Sequence, residues 1–582
     1  MFRLARYLKG YIKESIIGPL FKLTEAIFEL IVPLVMASII DTGIKNGDNA
    51  HIYKMGGVLI LLGFTGLVCS LTAQYFAAKA SMGFGTQLRN ALYKHINSLS
   101  HAQIDKIGTP SLITRMTNDI NQTQTGVNLI LRLFLRSPFI VLGALIMAFT
   151  INVKLALIFL IATPVIAVVI YTIMAFSIPL YKKIQKTLDR ISLITRENLV
   201  GVRVIRAFSR QDREIERFSQ ACDDLQDTSV KAGRISALLN PLTYVIVNLA
   251  IIVIIKNGGN AVYNGVITQG EVIALVNYMT QILLALMALS ILITNVTKAT
   301  ASAARINDTF DIKPTITDEG NEILELKPSA DTPKVSFRNV YMTYESDEYS
   351  LENISFDAMA GQTIGIIGGT GSGKSSIINL IPRFYDANRG EVLVDGVDVK
   401  KYKLSQLRSK IGIVPQSAVL FSGTIRDNIR WGKKDATDEE IWEALEISMS
   451  ADFVREKPDG LDTMILQGGK NLSGGQRQRL TIARALVSKP EILILDDSSS
   501  ALDYATDAAL RKNLREKTDN MTVFIVSQRC MSIKSADKIV VLDDGIVVGI
   551  GTHDELFAGC EVYNEICLSQ VSSDEAVKGG KE

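Results

Sequence analysis

The 582 residues are too many for one hydrophobic core and suggest about three or four domain-sized units. Lys and Arg number 62 against 60 Asp and Glu, a net charge of +2, so an acidic polymer such as nucleic acid is excluded as the partner. With 47% hydrophobic residues and a mean hydropathy of +0.22, the chain is too apolar for an ordinary soluble protein, and the excess lies in its first half. Cys69, Cys222, Cys530, Cys560 and Cys567 form no CxxC pair, and with 4 His in the chain they make no zinc site; they read as reduced packing residues.

The opening MFRLARYLKGYIKES is basic but leads into a long apolar run without a small-residue cleavage site, so it does not read as a removable signal peptide. Six runs are long enough to cross a bilayer, which takes about 20 apolar residues: 16–40, 55–80, 127–151, 155–178, 237–262 and 271–297. The loops after the second and fourth runs are long and rich in Lys and Arg, as in Lys182, Lys183, Lys186, Arg190, Arg196 and Arg203. Those loops are therefore cytoplasmic, and with six spans so are both termini. Both loops are helical in pattern, which predicts spanning helices that extend beyond the bilayer. Each holds a breaker: Gly108-Thr109-Pro110 followed by Arg115 to Asp119, and Gly201 followed by Val204 to Phe208.

Charge inside a span is costly unless it faces a cavity or a partner. Lys22, Glu25 and Glu29 share one helical face of the first span. Glu29 stands about 18 Å of helix rise from Asp41, near mid-bilayer. It is a candidate substrate residue for a cavity that favours cations; the competing reading is a pair with a neighbouring helix. Arg132 and Arg136 sit near the inner end of the third span, where they snorkel or pair. Residues 1–310 thus form a transmembrane domain. The segment 311–333, with Pro314, Glu319-Gly320, Pro328 and Pro333, has no sustained period and reads as a linker.

Residues 334–570 have a different character, and 571–582 read as a polar tail. The apolar strand Ile364 to Ile367 runs into Gly368-Gly369-Thr370-Gly371-Ser372-Gly373-Lys374-Ser375, followed by Ser376. That is the pattern GxxxxGK[ST] in a strand-to-helix setting. The glycines free backbone N–H groups to surround phosphate, Lys374 brings a point charge to the β- and γ-phosphates, and Ser375 offers a hydroxyl to Mg²⁺. Downstream, Leu472-Ser473-Gly474-Gly475-Gln476 opens a helix. The buried strand Ile492 to Leu495 then delivers Asp496 and Asp497 to its C-terminal end, where an α/β sheet presents its chemistry.

The glycine loop, LSGGQ and the carboxylate strand together resemble the ATP-binding-cassette (ABC) transporters, and the six spans on the same chain resemble an ABC exporter half-transporter, of the type I exporter or type IV fold. The resemblance implies an all-α six-helix transmembrane domain followed by an α/β P-loop ATPase domain, with ATP and Mg²⁺ as cofactors. It places Tyr344 on adenine, Ser375, Gln416 and Asp496 at the metal, and transverse helices of the two basic loops against the ATPase domains. It also implies that Ser473, Gly474, Gly475 and Gln476 close over ATP held by a second chain, with Ser500-Ala501-Leu502-Asp503 crossing the same interface. One ATPase domain with six spans is half a transporter, so dimerisation is obligatory.

Three positions depart from the family pattern. Asp497 stands where hydrolytic sites carry Glu, one methylene longer, and about 1.5 Å of retreat from the attacking water can cost on the order of a hundredfold. Gln528, after the strand Val523 to Val526, stands where the family has His; an amide can touch phosphate but cannot be a cation. Gln467 replaces a common Glu ahead of the signature. Together these resemble the degenerate-site subunit of heterodimeric bacterial multidrug exporters. The expectation is a chain that binds ATP well, hydrolyses it slowly through Asp497 and Gln528, and lends an intact LSGGQ to a homologous partner in the cell membrane. The substrate would be a small amphipathic molecule moved out of the cytoplasm. A lipid flippase or peptide exporter is the alternative transport reading, and an ATP-gated channel or regulator the alternative of another class. Steady-state ATP turnover separates the last from a pump.

Overall fold

The computed structural model describes the backbone of all residues except 319–320, 325–328, 330, 345–348, 499–500, 519 and 580–582, and the side chains of the described residues save Phe2 and 571–579. Glu319, Gly320, Pro328 and Ser500 therefore lie outside the described residues. The chain forms two compact units. One comprises Met1–Asn97 and Gly108–Ile312; the other comprises Ser98–Ile107 and Lys313–Glu582.

Among the described residues six helical segments, in the first unit, are long and apolar enough to cross a membrane: Arg3–Ile44, Asn49–Ser98, Thr109–Ile151, Val153–Val200, Gln211–Tyr263 and Gln269–Phe310. Each contains one of the six apolar runs and continues past it, because the flanking basic segments keep the helical period after the apolar face ends. The fourth starts on the Asn152 carboxamide, which accepts from the N–H groups of Lys154 at 3.0 Å and Leu155 at 3.2 Å. The sixth starts on a capping box of Thr268 and Glu271. This sixth helix is the most enclosed of the set, burying Ala274, Leu275, Tyr278, Met279, Ile282 and Leu283. The second is the least enclosed, with Ile60, Leu61, Phe64 and Leu67 outward. Such an apolar exterior is stable only in lipid.

Several polar groups inside this unit are paired. Tyr278 donates its hydroxyl to the Leu30 carbonyl at 2.7 Å. The Glu29 carboxylate meets the Arg136 guanidinium at 2.7 Å, and Lys22 meets Glu25 at 2.6 Å. Asp119, buried at 1% exposure, accepts from Arg305 Nε at 2.9 Å and again from its Nη2. Arg115 donates to Thr309 Oγ1 at 2.6 Å. Arg115 to Asp119, the residues after the breaker, thus tie the third membrane segment to the sixth within the unit. The reason is the buried Asp119 charge, which requires a fixed cation.

The second unit is a layered α/β structure. Its main sheet runs Ile546–Gly551, Lys538–Asp543, Thr363–Gly368, Thr522–Val526, Ile492–Asp496, Ile411–Val414, parallel except for the first pair. Strands buried on both faces read as continuous apolar runs, as Ile492 to Leu495 does. A second, antiparallel sheet runs Leu351–Ala358, Val335–Met342, Arg389–Val394, Val397–Asp398. Asp395, 2% exposed, receives Lys334 and Lys410, each at 2.7 Å. Burial raises its proton affinity, but the two ammonium hydrogen bonds outweigh that and hold it ionised.

One element of this unit comes from far upstream. The helix His101–Ile107 sets the His101 ring 4.6 Å from that of Phe384, and Tyr385 donates its hydroxyl to Asp105 at 3.0 Å. Burial lowers the proton affinity of His101, and Arg408 lowers it further. The docked helix of the first basic loop is therefore the one before Gly108, which the sequence offered only through the breaker that ends it. At the other end of the chain the helix Glu561–Gly579 runs through most of the expected polar tail, since a docked helix propagates cheaply.

Candidate functional site

The parallel strands Thr363–Gly368, Thr522–Val526 and Ile492–Asp496 lie side by side, and all three release their next residues at the same edge. The loop after the first reaches the helix Lys374–Leu380 through two left-handed glycines, Gly371 (φ +87°) and Gly373 (φ +92°). A Cβ on Gly373 would stand 2.6 Å from Leu351 Cδ2, and one on Gly368 would stand 2.2 Å from the Leu542 carbonyl oxygen. Gly369 and Gly371 face open space. The loop is thus pinned at its ends and open in its middle, which is the shape of a backbone cradle for an anion.

A cavity of about 340 Å³ sits at this edge, lined by Tyr344, Ser350, Thr370, Gly371, Gly373, Lys374, Ser375, Ser376, Gln416, Asp496, Asp497, Val526 and Gln528. A larger groove of about 870 Å³ lies at the opposite ends of the same strands, around Thr363, Arg515 and Asp537. It holds none of the candidate groups.

Lys374 donates from Nζ to the carbonyls of Gly368 at 3.0 Å and Gly369 at 2.5 Å. Burial lowers its proton affinity, and Asp497 and Asp496 pull the other way. Ser375 donates from Oγ to Asp496 at 3.2 Å. Burial raises both carboxyls. For Asp496 the Ser375 hydrogen bond opposes it; for Asp497 the Arg529 charge, then Lys374, then a hydrogen bond from Gln416 do. Asp497 has a left-handed backbone (φ +44°), fixed by its N–H on the Val526 carbonyl at 3.0 Å. A non-glycine residue there is strained, as at functional turns.

The residues fit the cofactors that the loop pattern implies. Ser375 hydroxyl, Asp496 carboxylate and Gln416 amide are hard oxygen donors on one cavity wall, suited to Mg²⁺. Among the described residues no cluster of three or more His, Cys, Asp or Glu exists to hold a metal unaided. The remaining coordination would come from the phosphates and water.

Other sequence candidates fall elsewhere. Gly368, Gly369 and Ser372 are not among the residues that line the cavity. Tyr344 lines it, but its hydroxyl is 2.9 Å from Ser376 Oγ and its ring packs edge-on against Tyr385. Ser473 to Gln476 form an N-terminal turn outside the lining. Ser473 Oγ accepts from the Gln476 N–H at 3.2 Å, while the Ser473 N–H donates to Gln476 Oε1 at 3.0 Å. Asp503 caps the helix Tyr504–Lys517, accepting from Thr506 N–H at 2.8 Å. Glu29 belongs to the other unit. Arg529, next to Gln528, was not singled out in the sequence; its charge acts on Asp497, and its adjacency to the switch position was the available signal.

The cysteine reading needs correction. Cys530 and Cys567 form a disulfide, with Cα atoms 5.4 Å apart across a separation of 37 residues. Spacing could not reveal it, because the pairing depends on where the C-terminal helix docks. Cys69, Cys222 and Cys560 are free, and Cys69 and Cys560 are buried.

A phosphate cradle and a carboxylate pair in an ATPase unit, carried on a chain with six membrane-length helices, define an ABC exporter, and the chain belongs to the ABC transporter family. The family model for the ABC transporter transmembrane region matches residues 15–286, and that described as ABC transporter matches 351–500. An uncharacterised ABC transporter ATP-binding protein of Mycobacterium tuberculosis is 37% identical over 99% of both chains. An ATP-dependent lipid A-core flippase of Desulfotalea psychrophila is 34% identical over 86% of both chains. A probable multidrug resistance ABC transporter of Bacillus subtilis is 35% identical over 82% of this chain and 81% of its own. The solved structure of a bacterial Atm1-family ABC exporter with ATP bound matches with a TM-score of 0.80 and 25% identity, over 97% of this chain and 99% of that one.

Proposed function

We propose that this chain is one half of a heterodimeric exporter that moves small amphipathic molecules out of the cytoplasm, and that its own ATP site is the slow one of two. The observation that carries this is the state of Asp497: one methylene short, backbone strained at φ +44°, and engaged by Gln416 and by the nearby charge of Arg529. A general base must reach the water proton directly or through one water. A short carboxylate already bonded to an amide is poorly placed for that, and Gln528 cannot supply the imidazole chemistry in its stead.

The rest of the pocket supports strong ATP binding, with Mg²⁺ held by Ser375, Gln416 and Asp496. When bound, the nucleotide supplies the phosphoanhydride whose cleavage resets the cycle. Lys374 neutralises phosphate charge, and Ser375 and Asp496 fix the metal side of the pocket. Ser473 and the N–H groups of Gly474 and Gly475 begin a helix of 13 residues, a ready anion donor. Its position outside the chain's own cavity suits a role on the companion's nucleotide. Both basic loops and the ATPase unit then lie on the cytoplasmic side.

A lipid substrate is the second reading, favoured by the relative named as a lipid A-core flippase. Glu29 bears on the choice, since its pair with Arg136 leaves it weaker as a lone acceptor of cationic drugs. The test is ATP turnover by the purified chain, first alone and then with a homologous half-transporter. Slow turnover alone and fast turnover in the pair supports the proposal; brisk turnover by the chain alone refutes it.

A further inference from the structure

The switch segment has a second attachment that the ATP-site reading does not use. Gln528 lines the cavity; two residues on, Cys530 opens the short helix Cys530–Ile533. From the other side, the C-terminal helix Glu561–Gly579 reaches this segment at three points. Gln570 donates from Nε2 to the Gln528 carbonyl at 2.7 Å and accepts at Oε1 from the Cys530 N–H at 2.9 Å. Cys567 is joined to Cys530 itself. The first two contacts are hydrogen bonds whose groups do not change with redox state; the third exists only when the two thiols are oxidised.

We propose that Cys530 and Cys567 are a reversible thiol–disulfide site that fastens the Gln528 switch to the C-terminal helix, so that oxidation slows the release of nucleotide from this chain's pocket. The site rests on the reading of Gln528 as the residue facing the γ-phosphate. In a reducing compartment a disulfide is conditional rather than permanent, and the basic loops of the membrane unit put the cytoplasm on the ATPase side under the proposed function. Both sulfurs are buried, Cys530 at 5% and Cys567 at 4% exposure, so exchange requires the helix Glu561–Gly579 to part locally from the switch segment. The Cys530 sulfur also has a polar neighbour in this apolar setting. It lies 3.4 Å from the Tyr563 hydroxyl, which is 2.8 Å from His553 Nδ1. Burial holds that phenol up at about 12, so it remains a neutral hydrogen-bond donor that can stabilise a thiolate.

The oxidant is a low-molecular-weight disulfide. One cysteine thiolate attacks a sulfur of RS–SR and expels RS⁻; the second attacks the resulting mixed disulfide and expels another RS⁻. Two protein thiols thereby lose two electrons and two protons, and RS–SR becomes two RSH. Once closed, the bond prevents the segment after Gln528 from moving away from the C-terminal helix. Any exit of nucleotide that needs this loop to withdraw is then slowed.

The test uses the purified full chain, poised with oxidised or reduced glutathione. Non-reducing peptide mapping reads the bond, and the release rate of the N-methylanthraniloyl derivative of ATP reads the effect. Expected are a Cys530–Cys567 peptide only in the oxidised sample and release slowed about tenfold, as for a gating step. Cys567→Ser should release at the reduced rate under both poises. Gln570→Ala should still form the bond but release faster than the wild type when both are reduced. Absence of the bonded peptide under oxidising poise, or its presence with release unchanged, overturns the proposal. The slow-site reading is tested separately, by turnover of the reduced chain, so either can fail alone.

Discussion

Two glycine-bearing turns of the ATPase unit each precede a helix, and they differ in what completes them. Around Gly368 to Ser375 the chain supplies both walls: Lys374 reaches back to the loop carbonyls, Ser375 meets Asp496, and Gln416 meets Asp497. Around Ser473 to Gln476 the capping box satisfies the turn locally, and the Cβ position of Gly474 has nothing within 4 Å. The first turn is a pocket in its own right. The second is an open helix start, which under the proposed function takes its complementary wall from a companion chain.

Substitutions can break that comparison. The largest expected effect is at the half-site: Gly474→Asp places a carboxylate where an anion should bind, and ATP turnover of the assembled transporter should fall on the order of a hundredfold or more. Next, Lys374→Ala should weaken nucleotide binding to this chain about tenfold to a hundredfold, read by titration of the purified protein. Asp497→Glu restores the missing methylene, and single-turnover hydrolysis at this chain's site should rise roughly tenfold. If this chain's site is the slow one, as proposed, Asp497→Ala should leave turnover of the pair within about twofold. Equal and severe losses from Asp497→Ala and Gly474→Asp would show that the two sites share the work.

The smallest effect sharpens the pocket's side of the comparison. Burial raises the Asp496 carboxyl above its unfolded value. A raised carboxyl favours the protonated fold, so its contribution is full below the unfolded value near 3.9 and is lost as pH rises through the folded one. At neutral pH without nucleotide, Asp496→Asn should therefore stabilise the protein, by no more than about 1 kcal/mol after solvent screening. The gain should shrink as pH falls toward about 4. Thermal unfolding across pH measures both. A variant less stable than the wild type at neutral pH would mean that the ionised carboxylate contributes structurally.

The parts of the site legible in the sequence were those with contiguous patterns. Gly368 to Ser375 declares itself because a phosphate cradle needs glycines at fixed offsets from Lys. Asp496 and Asp497 were legible as the end of an apolar strand. What linear spacing could not carry was anything set by docking. His101–Ile107 joins the ATPase unit through rings at Phe384 and Tyr385, some 280 positions away in the Asp105–Tyr385 bond. Nothing near Asp119 in the sequence marks its partner Arg305, 186 positions away. Cys530 and Cys567 looked inert because nothing local marks a partner 37 residues distant.

By itself the sequence determined six membrane-length helices, an ABC ATPase and the identity of the short carboxylate, since hydrophobic run length and the offsets of glycine, lysine and acid are properties of neighbouring residues along the chain. Only the tertiary structure decided which charges neutralise each other, which helix of the first basic loop belongs to the ATPase unit, and that the C-terminal helix reaches the Gln528 segment. Those outcomes depend on burial, and burial is fixed only when surfaces far apart in sequence exclude water together.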